Sequence, residues 1–302
     1  MKIAFIILAY KNPVQLRYLV ESLLHKDHFF FIHIDKLSDI GPFKKEFEKI
    51  DTTNIVYIRR TNSYWGSYNC VKALILGLRL AFNHKASFDY FIYLSGQDYP
   101  VTAVERIRQS LEGSSPKSYL YHFPLPTDAW KNGGRDRLES FQFFLLGKRI
   151  LVTRNSKKML LRILHSLWTR VVVNRFDKRK QYYGCESYFM LHRLAIETLL
   201  RNLRKHFFLS LRLKFVLVPE EIFIPTLLFQ GRSEYLLKHT VNDSFRYINW
   251  FEANGRSPKT LDESDIKKIK AGNYFFARKF DFETSPGIRM MLHNDVLAGS
   301  NN

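Results

Sequence analysis

The sequence predicts an α/β fold built on a Rossmann-like parallel sheet. Three observations support this prediction: continuous apolar runs near the amino terminus, amphipathic segments between them, and polar residues directly after the runs. Of the 302 residues, 46% are hydrophobic and 25% are charged. This composition allows a full hydrophobic core and excludes a disordered chain.

The first hundred residues alternate between apolar runs and amphipathic segments. Nearly every position of Lys2–Ala9 is apolar, which is typical of a parallel strand that is buried on both faces. Proline fits the first position of a helix, so Pro13 is expected to open one. We expect further strands at Phe29–Ile34, Ile55–Ile58 and Phe88–Leu94 and a helix at Cys70–Phe82. Gly77 lies inside that helix and costs it roughly 1 kcal/mol of helix propensity.

The remaining elements are predicted from patterns further along the chain. Ser156 is placed to cap a helix that runs to about Val173. Its apolar stripe would consist of Met159, Leu160, Ile163, Leu164, Leu167, Trp168 and Val171. We expect a strand at Tyr188–Leu191, a helix at His192–Lys205 and another helix at Pro219–Gln230.

Polar residues follow three of the predicted strands, in the segments Tyr10–Asn12, His33–Asp35 and Ser95–Asp98. Ligands of parallel α/β sheets bind beyond the carboxyl ends of the strands, so these segments predict a binding site there. Turns are polar in general, and any one of the three segments equally fits a turn without a binding role.

The chain is strongly basic, with 47 Lys and Arg against 28 Asp and Glu and a net charge of +19. Such an excess predicts an anionic partner: nucleic acid, anionic lipid or a phosphate-bearing substrate. Within residues 147–180, 11 Lys and Arg accompany a single acid, Asp177. A basic amphipathic helix there fits an anionic membrane surface. The alternative is that its apolar stripe packs on the protein core.

Several classes of protein are excluded or disfavoured. With only Cys70 and Cys185, the chain is not a disulfide-rich secreted scaffold, and two free thiols are expected. The apolar runs are shorter than the ~20 residues that span a bilayer. No metal-binding motif occurs, and no D-x-D follows a middle strand. We therefore expect a cytoplasmic protein, peripheral on the inner face of the plasma membrane at most, with no bound metal.

Nine short motifs occur in one order: ILAYKNPVQL (7–16), FFIHIDK (30–36), WGSYNCVKA (65–73), FIYLSGQDYPV (91–101), GCESYFML (184–191), VPEEIF (218–223), RYINW (246–250), RSPKTL (256–261) and FARKFD (276–281). Together they resemble the core-2/I-branching β-1,6-N-acetylglucosaminyltransferase family (glycosyltransferase family 14), which includes the peptide O-xylosyltransferases. The resemblance extends from Ile3 to about Asp281. It implies a variant GT-A-like glycosyltransferase fold with a single domain over residues 1–302. Residues 1–125 would mainly bind the nucleotide sugar, and residues 126–302 would mainly bind the acceptor and carry catalysis.

The resemblance also implies an activity. Members of this family transfer a sugar from a UDP donor, invert the anomeric centre and need no divalent metal. We therefore expect transfer of a sugar, with N-acetylglucosamine as the first choice, to a glycan or a lipid-linked oligosaccharide, without a cofactor. The chain shows neither a membrane anchor nor the cysteines of the mammalian relatives, so it looks like a bacterial, cytoplasmic member.

Glu221 matches the family's catalytic base, which is the second acid of the proline-acid-acid motif. An inverting transfer needs a base on the acceptor hydroxyl. Glu221 lies in a sequence that is otherwise apolar, where partial burial would raise its pKa. The alternative is that Glu220 and Glu221 only favour the amino terminus of a helix.

Arg256 and Lys279 match the family's two diphosphate-binding residues. Where no metal bridges the phosphates, side-chain cations must offset the charge of the leaving group. Lys259 lies three residues after Arg256 and is a possible substitute for it.

The resemblance further implies contacts to the donor. Asp35 resembles the residue that contacts the uridine, and Ala9 would begin the same pocket. Asp98 either hydrogen-bonds the donor sugar or caps the turn that follows it. Trp65 either shapes the donor pocket or lies buried in the core.

For the acceptor, Trp250 matches a family tryptophan, and aromatic faces suit the apolar faces of pyranoses. Arg135, Arg137 and Glu139 align loosely with an acceptor-contacting segment. Glu186 departs from the family pattern and marks a different acceptor specificity if it faces the acceptor. Two other functions remain open: a basic nucleic-acid-binding protein, which the missing nucleic-acid motifs disfavour, and a non-catalytic glycan-binding module.

Overall fold

The computed structural model describes residues 1–113, 117–128, 130–145, 148–170, 181–231, 234–252 and 257–298. The side chains of residues 131, 135 and 293–298 lie outside this description. Predictions that concern Arg256, Val171 and Val173 also fall outside it.

The strands are β1 (Ile3–Ala9), β2 (His28–Ile34), β3 (Ile55–Tyr57), β4 (Tyr90–Ser95), β5 (Asp98–Pro100), β6 (Ser118–Tyr119), β7 (His122–Leu125), β8 (Phe141–Leu145), β9 (Lys148–Val152), β10 (Tyr182–Cys185), β11 (Met190–His192), β12 (Thr240–Val241), β13 (Arg246–Ile248) and β14 (Phe276–Arg278). The α-helices are α1 (Pro13–Glu21), α2 (Gly41–Phe47), α3 (Tyr68–Phe82), α4 (Val104–Leu111), α5 (Arg135–Glu139), α6 (Met159–Trp168), α7 (Arg193–Lys205), α8 (Phe207–Leu213), α9 (Phe223–Leu228), α10 (Glu234–Lys238), α11 (Ile266–Ala271) and α12 (Pro286–Ala298). Short 3₁₀ helices lie at Lys131–Gly134, Pro219–Glu221 and Glu263–Asp265.

A seven-stranded sheet in the order β12-β6-β11-β4-β1-β2-β3 forms the centre of the fold. β1 pairs in parallel with both β2 and β4, and β2 pairs in parallel with β3. β11 is antiparallel to β4 and β6. The predicted α/β class and Rossmann-like half are therefore confirmed. The chain leaves β1 towards β2 and later returns to β4 on its other side, which is the switch point where such sheets bind ligands.

The two faces of β1 are both buried, as its apolar run predicts. Ile3, Phe5 and Ile7 pack in the cluster that contains α1, whereas Ala4 and Ile6 pack in the cluster that contains α3. Successive side chains of a strand point to opposite faces, so a strand between two helical layers must be apolar throughout.

Gly77 is the reason that α3 can approach β1 closely. A Cβ atom at this position would lie 2.6 Å from Cγ2 of Ile6 and 2.7 Å from Cδ1 of Ile58. The glycine that weakens the helix by propensity therefore permits close packing of the helix on the sheet.

Several predicted elements differ from the structure. The predicted helix at Pro219–Gln230 is a 3₁₀ turn followed by the separate helix α9, because Ile222 leaves the helical conformation between them. The prediction that Ser156 caps the basic helix is wrong: α6 begins at Met159, and the Ser156 hydroxyl instead accepts a hydrogen bond from the amide of Thr153.

A second, smaller sheet delivers residues from distant parts of the chain to the switch point. Its order is β13-β14-β5. β5 follows β4 directly, and its register places Asp98 opposite Arg278 of β14. The motifs SGQDYP and FARKFD therefore meet beside the carboxyl end of β4. Within the described parts of the chain, no helix is long and apolar enough to cross a membrane.

Candidate active site

The predicted base Glu221 is the last residue of the 3₁₀ turn Pro219–Glu221. Val218 precedes this turn and has a left-handed conformation, with φ 49°. The Glu221 side chain is 26% exposed, and its Oε2 lies 2.5 Å from Nη1 of Arg137. Burial raises the pKa of Glu221, the Arg137 charge opposes that rise, and the Glu186 carboxylate adds to it. A partly desolvated carboxylate that still reaches the surface can accept a proton from a bound hydroxyl.

Glu220, the neighbouring acid, occupies a more enclosed position. Burial raises its pKa to about 7, although hydrogen bonds from the Cys70 thiol and the Gly66 amide partly offset the effect. Among the residues that the structure describes, its buried Oε2 has no hydrogen-bond partner. The two adjacent acids therefore differ: Glu220 faces the loop before α3, and Glu221 faces Arg137.

Glu186 lies between the acids and a group of arginines. Burial raises the pKa of its carboxyl, and the charges of Arg246 and Arg278 lower it in part. Glu186 also affects the pKa of Glu221. The residue that departs from the family pattern is thus close to the predicted base, and its predicted contact with the acceptor stays a prediction.

Asp98 is completely buried and holds two arginines. Its Oδ1 lies 3.6 Å from Nε of both Arg246 and Arg278, and its Oδ2 accepts hydrogen bonds from the amide and the hydroxyl of Ser95. Both guanidinium groups also stack on the Tyr188 ring, at 4.1 and 4.4 Å from its centroid. A contact with a donor sugar needs an exposed oxygen, so this burial disfavours that role. The carboxylate binds the turn before it, through Ser95, whereas the predicted alternative places it on the turn that follows.

Lys279 lies next to further cations. Its Nζ donates to the Ser257 hydroxyl at 3.3 Å. Burial lowers the pKa of Lys279, and the charges of Lys11 and Arg278 lower it further, whereas Asp281 raises it. A lysine with a lowered pKa among like charges favours binding of an anion, since an anion relieves the repulsion. Arg256, the predicted partner of Lys279, lies outside the described residues.

Lys11 and Asp281 connect the segment that carries Lys279 to the switch point. Nζ of Lys11 lies 2.7 Å from Oδ2 of Asp281, and the side-chain amide of Asn12 donates to Oδ1 of Asp281 at 3.0 Å. The carboxyl end of β1 is therefore tied to the segment that carries Lys279.

Lys259 is poorly placed to replace Arg256. Its Nζ lies 3.0 to 3.2 Å from carboxylate oxygens of Glu252, Asp262 and Asp265. These acids raise the pKa of Lys259 and neutralise its charge locally. A diphosphate would have to compete with three carboxylates for this ammonium group, so the structure argues against this predicted role.

At the predicted uridine end, Asp35 and Ala9 are buried beside each other. The amide of Asp35 donates to the Ala9 carbonyl at 2.9 Å. The Asp35 carboxylate accepts hydrogen bonds from the amides of Leu37 and Ser63, at 2.8 and 2.6 Å. It shapes the loops at the carboxyl end of β2, and its contact with uridine stays a prediction.

The two predicted tryptophans are both accessible. Trp65 is 59% exposed and Trp250 is 49% exposed, so the interpretation of Trp65 as a core residue is wrong. Gly66, next to Trp65, takes φ +69° close to Arg149 and Val218. Trp65 therefore lies near the turn that carries the acids. The carbonyl of Gly66 and that of Val216 both accept hydrogen bonds from Gln142, which fixes this loop.

The predicted acceptor residues on α5 have different positions. Arg137 contacts Glu221 and stacks on the Trp130 ring at 4.0 Å. Glu139 is exposed, and the side chain of Arg135 lies outside the described part. Of this segment, the structure brings Arg137 to the site.

Sequence reasoning missed Arg246 and Arg278, although both lie in motifs that it singled out. Their position between aromatic residues, in RYINW and FARKFD, is the signal that could have identified them. Cys70 and Cys185 are free, and burial raises the pKa of both thiols, which disfavours reactive thiolates. Among the described residues, no group of three His, Cys, Asp or Glu side chains could hold a metal ion.

Comparisons with known proteins agree with the predicted resemblance. The xylosyltransferase of Ciona intestinalis is 23% identical over 290 residues, which cover 88% of this chain and 30% of that protein. Xylosyltransferase 1 of Rattus norvegicus is 23% identical over 93% of this chain and 34% of its own length. The corresponding values for xylosyltransferase 2 of Homo sapiens are 22%, 93% and 32%. The chain thus spans about a third of the length of the curated relatives that it matches.

Among solved structures, the mannosyltransferase Ktr4p from S. cerevisiae matches with a TM-score of 0.31 and 9% identity, over 74% of this chain and 65% of that one. The family model described as Core-2/I-Branching enzyme matches residues 3–272. Because that match covers nearly the whole chain and the named relatives are glycosyltransferases, the chain belongs to the core-2/I-branching enzyme family of glycosyltransferases.

Proposed function

We propose that this chain transfers a sugar from a UDP donor to a hydroxyl of a glycan or lipid-linked oligosaccharide, inverts the anomeric centre and uses no divalent metal. N-acetylglucosamine is the first donor to test. Xylose is the second candidate donor sugar because the relatives are named xylosyltransferases, and glucuronic acid is the third.

The reaction is a single in-line displacement. The acceptor oxygen forms a bond to the anomeric carbon while the bond from that carbon to the diphosphate breaks, and UDP leaves with the electron pair. The acceptor hydroxyl gives its proton to a carboxylate. The enzyme therefore has to supply a base on one side of the sugar and positive charge on the other.

The placement of Glu221 carries this proposal. Its carboxylate is desolvated enough for its pKa to rise, yet a quarter of the side chain remains exposed. The Arg137 charge opposes that rise and so favours the ionised form that accepts a proton. These are the properties expected of a general base that works near neutral pH.

The cations near the carboxyl end of β1 support the second requirement. Lys279 and Arg278 are adjacent in the chain, and the charge of Lys11 acts on Lys279. Lys279 supplies a point charge to the departing diphosphate, and Arg256, by its match to the family motif, supplies a bidentate fork. Together they would take the place of a divalent ion.

Exposed aromatic rings support a sugar substrate. Trp250 and Trp65 are both accessible to solvent, and an accessible indole ring can stack on the apolar face of a pyranose. We assign Trp250 to the acceptor and Trp65 to the donor sugar.

A thermal melt with uridine nucleotides tests the proposal. UDP, UMP, UDP-N-acetylglucosamine, UDP-xylose and UDP-glucuronic acid are compared with ADP at equal concentration, and UDP release is then measured with the sugars that stabilise. We expect stabilisation by the uridine nucleotides alone, because a ligand that binds the native state raises the melting temperature. Equal stabilisation by ADP and by single-stranded DNA would indicate a nucleic-acid-binding protein. Stabilisation by free glycans without UDP release from any donor would indicate a non-catalytic module.

A further inference from the structure

Helix α6 presents its apolar side to solvent. Five of its residues form a continuous arc of about 140° on a helical wheel: Met159, Leu160, Ile163, Leu164 and Leu167. They are between 38% and 69% exposed. The expectation that this stripe packs on the core is therefore wrong for these residues.

The exposed arc does not reflect a helix that is detached from the protein. The opposite side of α6 is docked on the fold: the Trp168 ring lies 4.7 Å from that of Phe141 and 5.9 Å from that of Phe215, and His165 is buried. The helix is thus held in place with its apolar arc outward. Soluble proteins seldom leave such a contiguous apolar surface uncovered.

Cations surround the arc. Between Glu139 and Asp177 the sequence contains no acidic residue, and residues 148–170 carry seven Lys and Arg. Arg154, Lys157 and Lys158 lie exposed just before α6, Arg162 is exposed on it, and Arg170 is exposed after it. The chemistry of the surface is therefore an apolar ridge inside a positively charged rim.

We propose that α6 lies in the headgroup layer of an anionic membrane, with the arc facing the acyl chains and the cations facing lipid phosphates. Charge complementarity decides between occupants. If a second copy docked on this face, its seven cations would repel the seven of the first copy. An anionic bilayer instead offers both an apolar interior and a negatively charged surface. This location brings the enzyme to lipid-linked acceptors, and it holds whichever sugar is transferred.

Co-sedimentation with vesicles tests this proposal on the full chain. We expect binding to vesicles of phosphatidylglycerol and phosphatidylcholine, little binding to phosphatidylcholine alone, and weaker binding as salt rises, because salt screens the attraction. Each Lys or Arg near an anionic surface strengthens binding about fivefold. Changing Lys157→Gln, Lys158→Gln and Arg162→Gln together should therefore weaken it about 100-fold.

A matched triple variant controls for net charge. Lys44, Lys45 and Lys85 are exposed on other helices and loops, and changing these three to Gln should leave vesicle binding within a few-fold of the wild type. A second variant, Ile163→Ser with Leu167→Ser, tests the apolar contribution and should lower vesicle binding while keeping the melting temperature, because both side chains are exposed.

Three results would overturn the proposal. The wild type could fail to bind anionic vesicles at low salt. The two triple variants could lose binding equally, which would reduce the effect to net charge. Sedimentation equilibrium without lipid could show a dimer that Ile163→Ser with Leu167→Ser dissociates, which would assign the arc to a second copy.

Discussion

Arg137 opposes the effect of burial on the pKa of the candidate base. Its guanidinium group stacks on Trp130 at 4.0 Å and pairs with Glu221 at 2.5 Å, so that the aromatic ring fixes the position of the cation. Burial and the Glu186 carboxylate act in the opposite direction on Glu221. The proton affinity of the base thus depends on two neighbours of opposite sign.

Substitution of these neighbours should shift the pH dependence of transfer in opposite directions. A base works when it is deprotonated, so the rate falls as the pH drops through the pKa of Glu221. Arg137→Gln removes the charge that lowers this pKa, and the acidic limb of the kcat/KM profile should move to higher pH. Glu186→Gln removes the charge that raises it, and the limb should move to lower pH. Shifts in the same direction, or none, would contradict the assignment of Glu221.

At the residue scale, the sequence could identify side chains within recognisable motifs but not their partners. Glu221 and Lys279 each lie in a short motif that resembles the family's, and that match identifies them. The two arginines on Asp98 come from segments that are far from it in the chain, whereas the three carboxylates around Lys259 lie within seven residues of it. Only folding shows that these charges are already paired.

Among the elements, α3 illustrates how packing overrides helix propensity. Gly77→Ala gains about 1 kcal/mol of propensity, but its methyl group would lie 2.6 Å from Cγ2 of Ile6. That atom belongs to a β-branched side chain, which cannot rotate away easily. Overpacking of this kind costs about 1–3 kcal/mol, so we expect a net decrease in the free energy of unfolding of about 1 kcal/mol by denaturant titration.

Gly113→Ala is the matched control for this experiment. A Cβ atom at Gly113 meets no atom within 4 Å, so stability should remain unchanged. An increase in stability for Gly77→Ala would show that α3 can move away from β1 at no cost.

The 3₁₀ turn Pro219–Glu221 should make stability depend on pH. The pKa of Glu220 rises from 4.5 to about 7 on folding, so the native state holds a proton that the unfolded state has lost between these values. The free energy of unfolding then falls as the pH rises through this window. Glu220→Gln should match the wild type below pH 4.5 and exceed it by at most about 3 kcal/mol above pH 7.

Chemical denaturation at several pH values measures this difference, with Glu48→Gln as a control because Glu48 is exposed on the surface. A constant difference between Glu220→Gln and the wild type at all pH values would mean that the pKa of Glu220 is the same in the native and unfolded states.

Elements that are buried on both faces were predictable, and elements defined by local backbone geometry were not. β1 and β2 were correct within a residue because strands between two helical layers are apolar throughout. The predicted helix at Pro219–Gln230 was too long because its apolar sequence does not reveal the left-handed Val218 or the break at Ile222. The sequence could not predict whether the α6 arc faces solvent or the core, because hydrophobic periodicity defines a helix face but not what that face contacts.

At the scale of the whole molecule, the site is assembled from distant parts of one chain. The loop after β1 contributes Lys11, β5 contributes Asp98, and the 3₁₀ turn contributes Glu221. The small sheet places Arg278 opposite Asp98, and Lys279 follows Arg278 in the chain. The charge of Arg278 lowers the pKa of Glu186, and the Glu186 carboxylate raises the pKa of Glu221. The proposed reaction needs the base and the cations to act together, with no metal between them.

The most direct measurement compares the wild type with Glu221→Gln in UDP release and sugar transfer, both in the presence of EDTA. We predict that the wild type keeps its rate in EDTA. Glu221→Gln should lose at least ~100-fold in turnover, the scale of a missing general base, and should show the same thermal stabilisation by UDP. Near-wild-type transfer by Glu221→Gln, or loss of wild-type activity in EDTA that Mn²⁺ restores, would contradict the account.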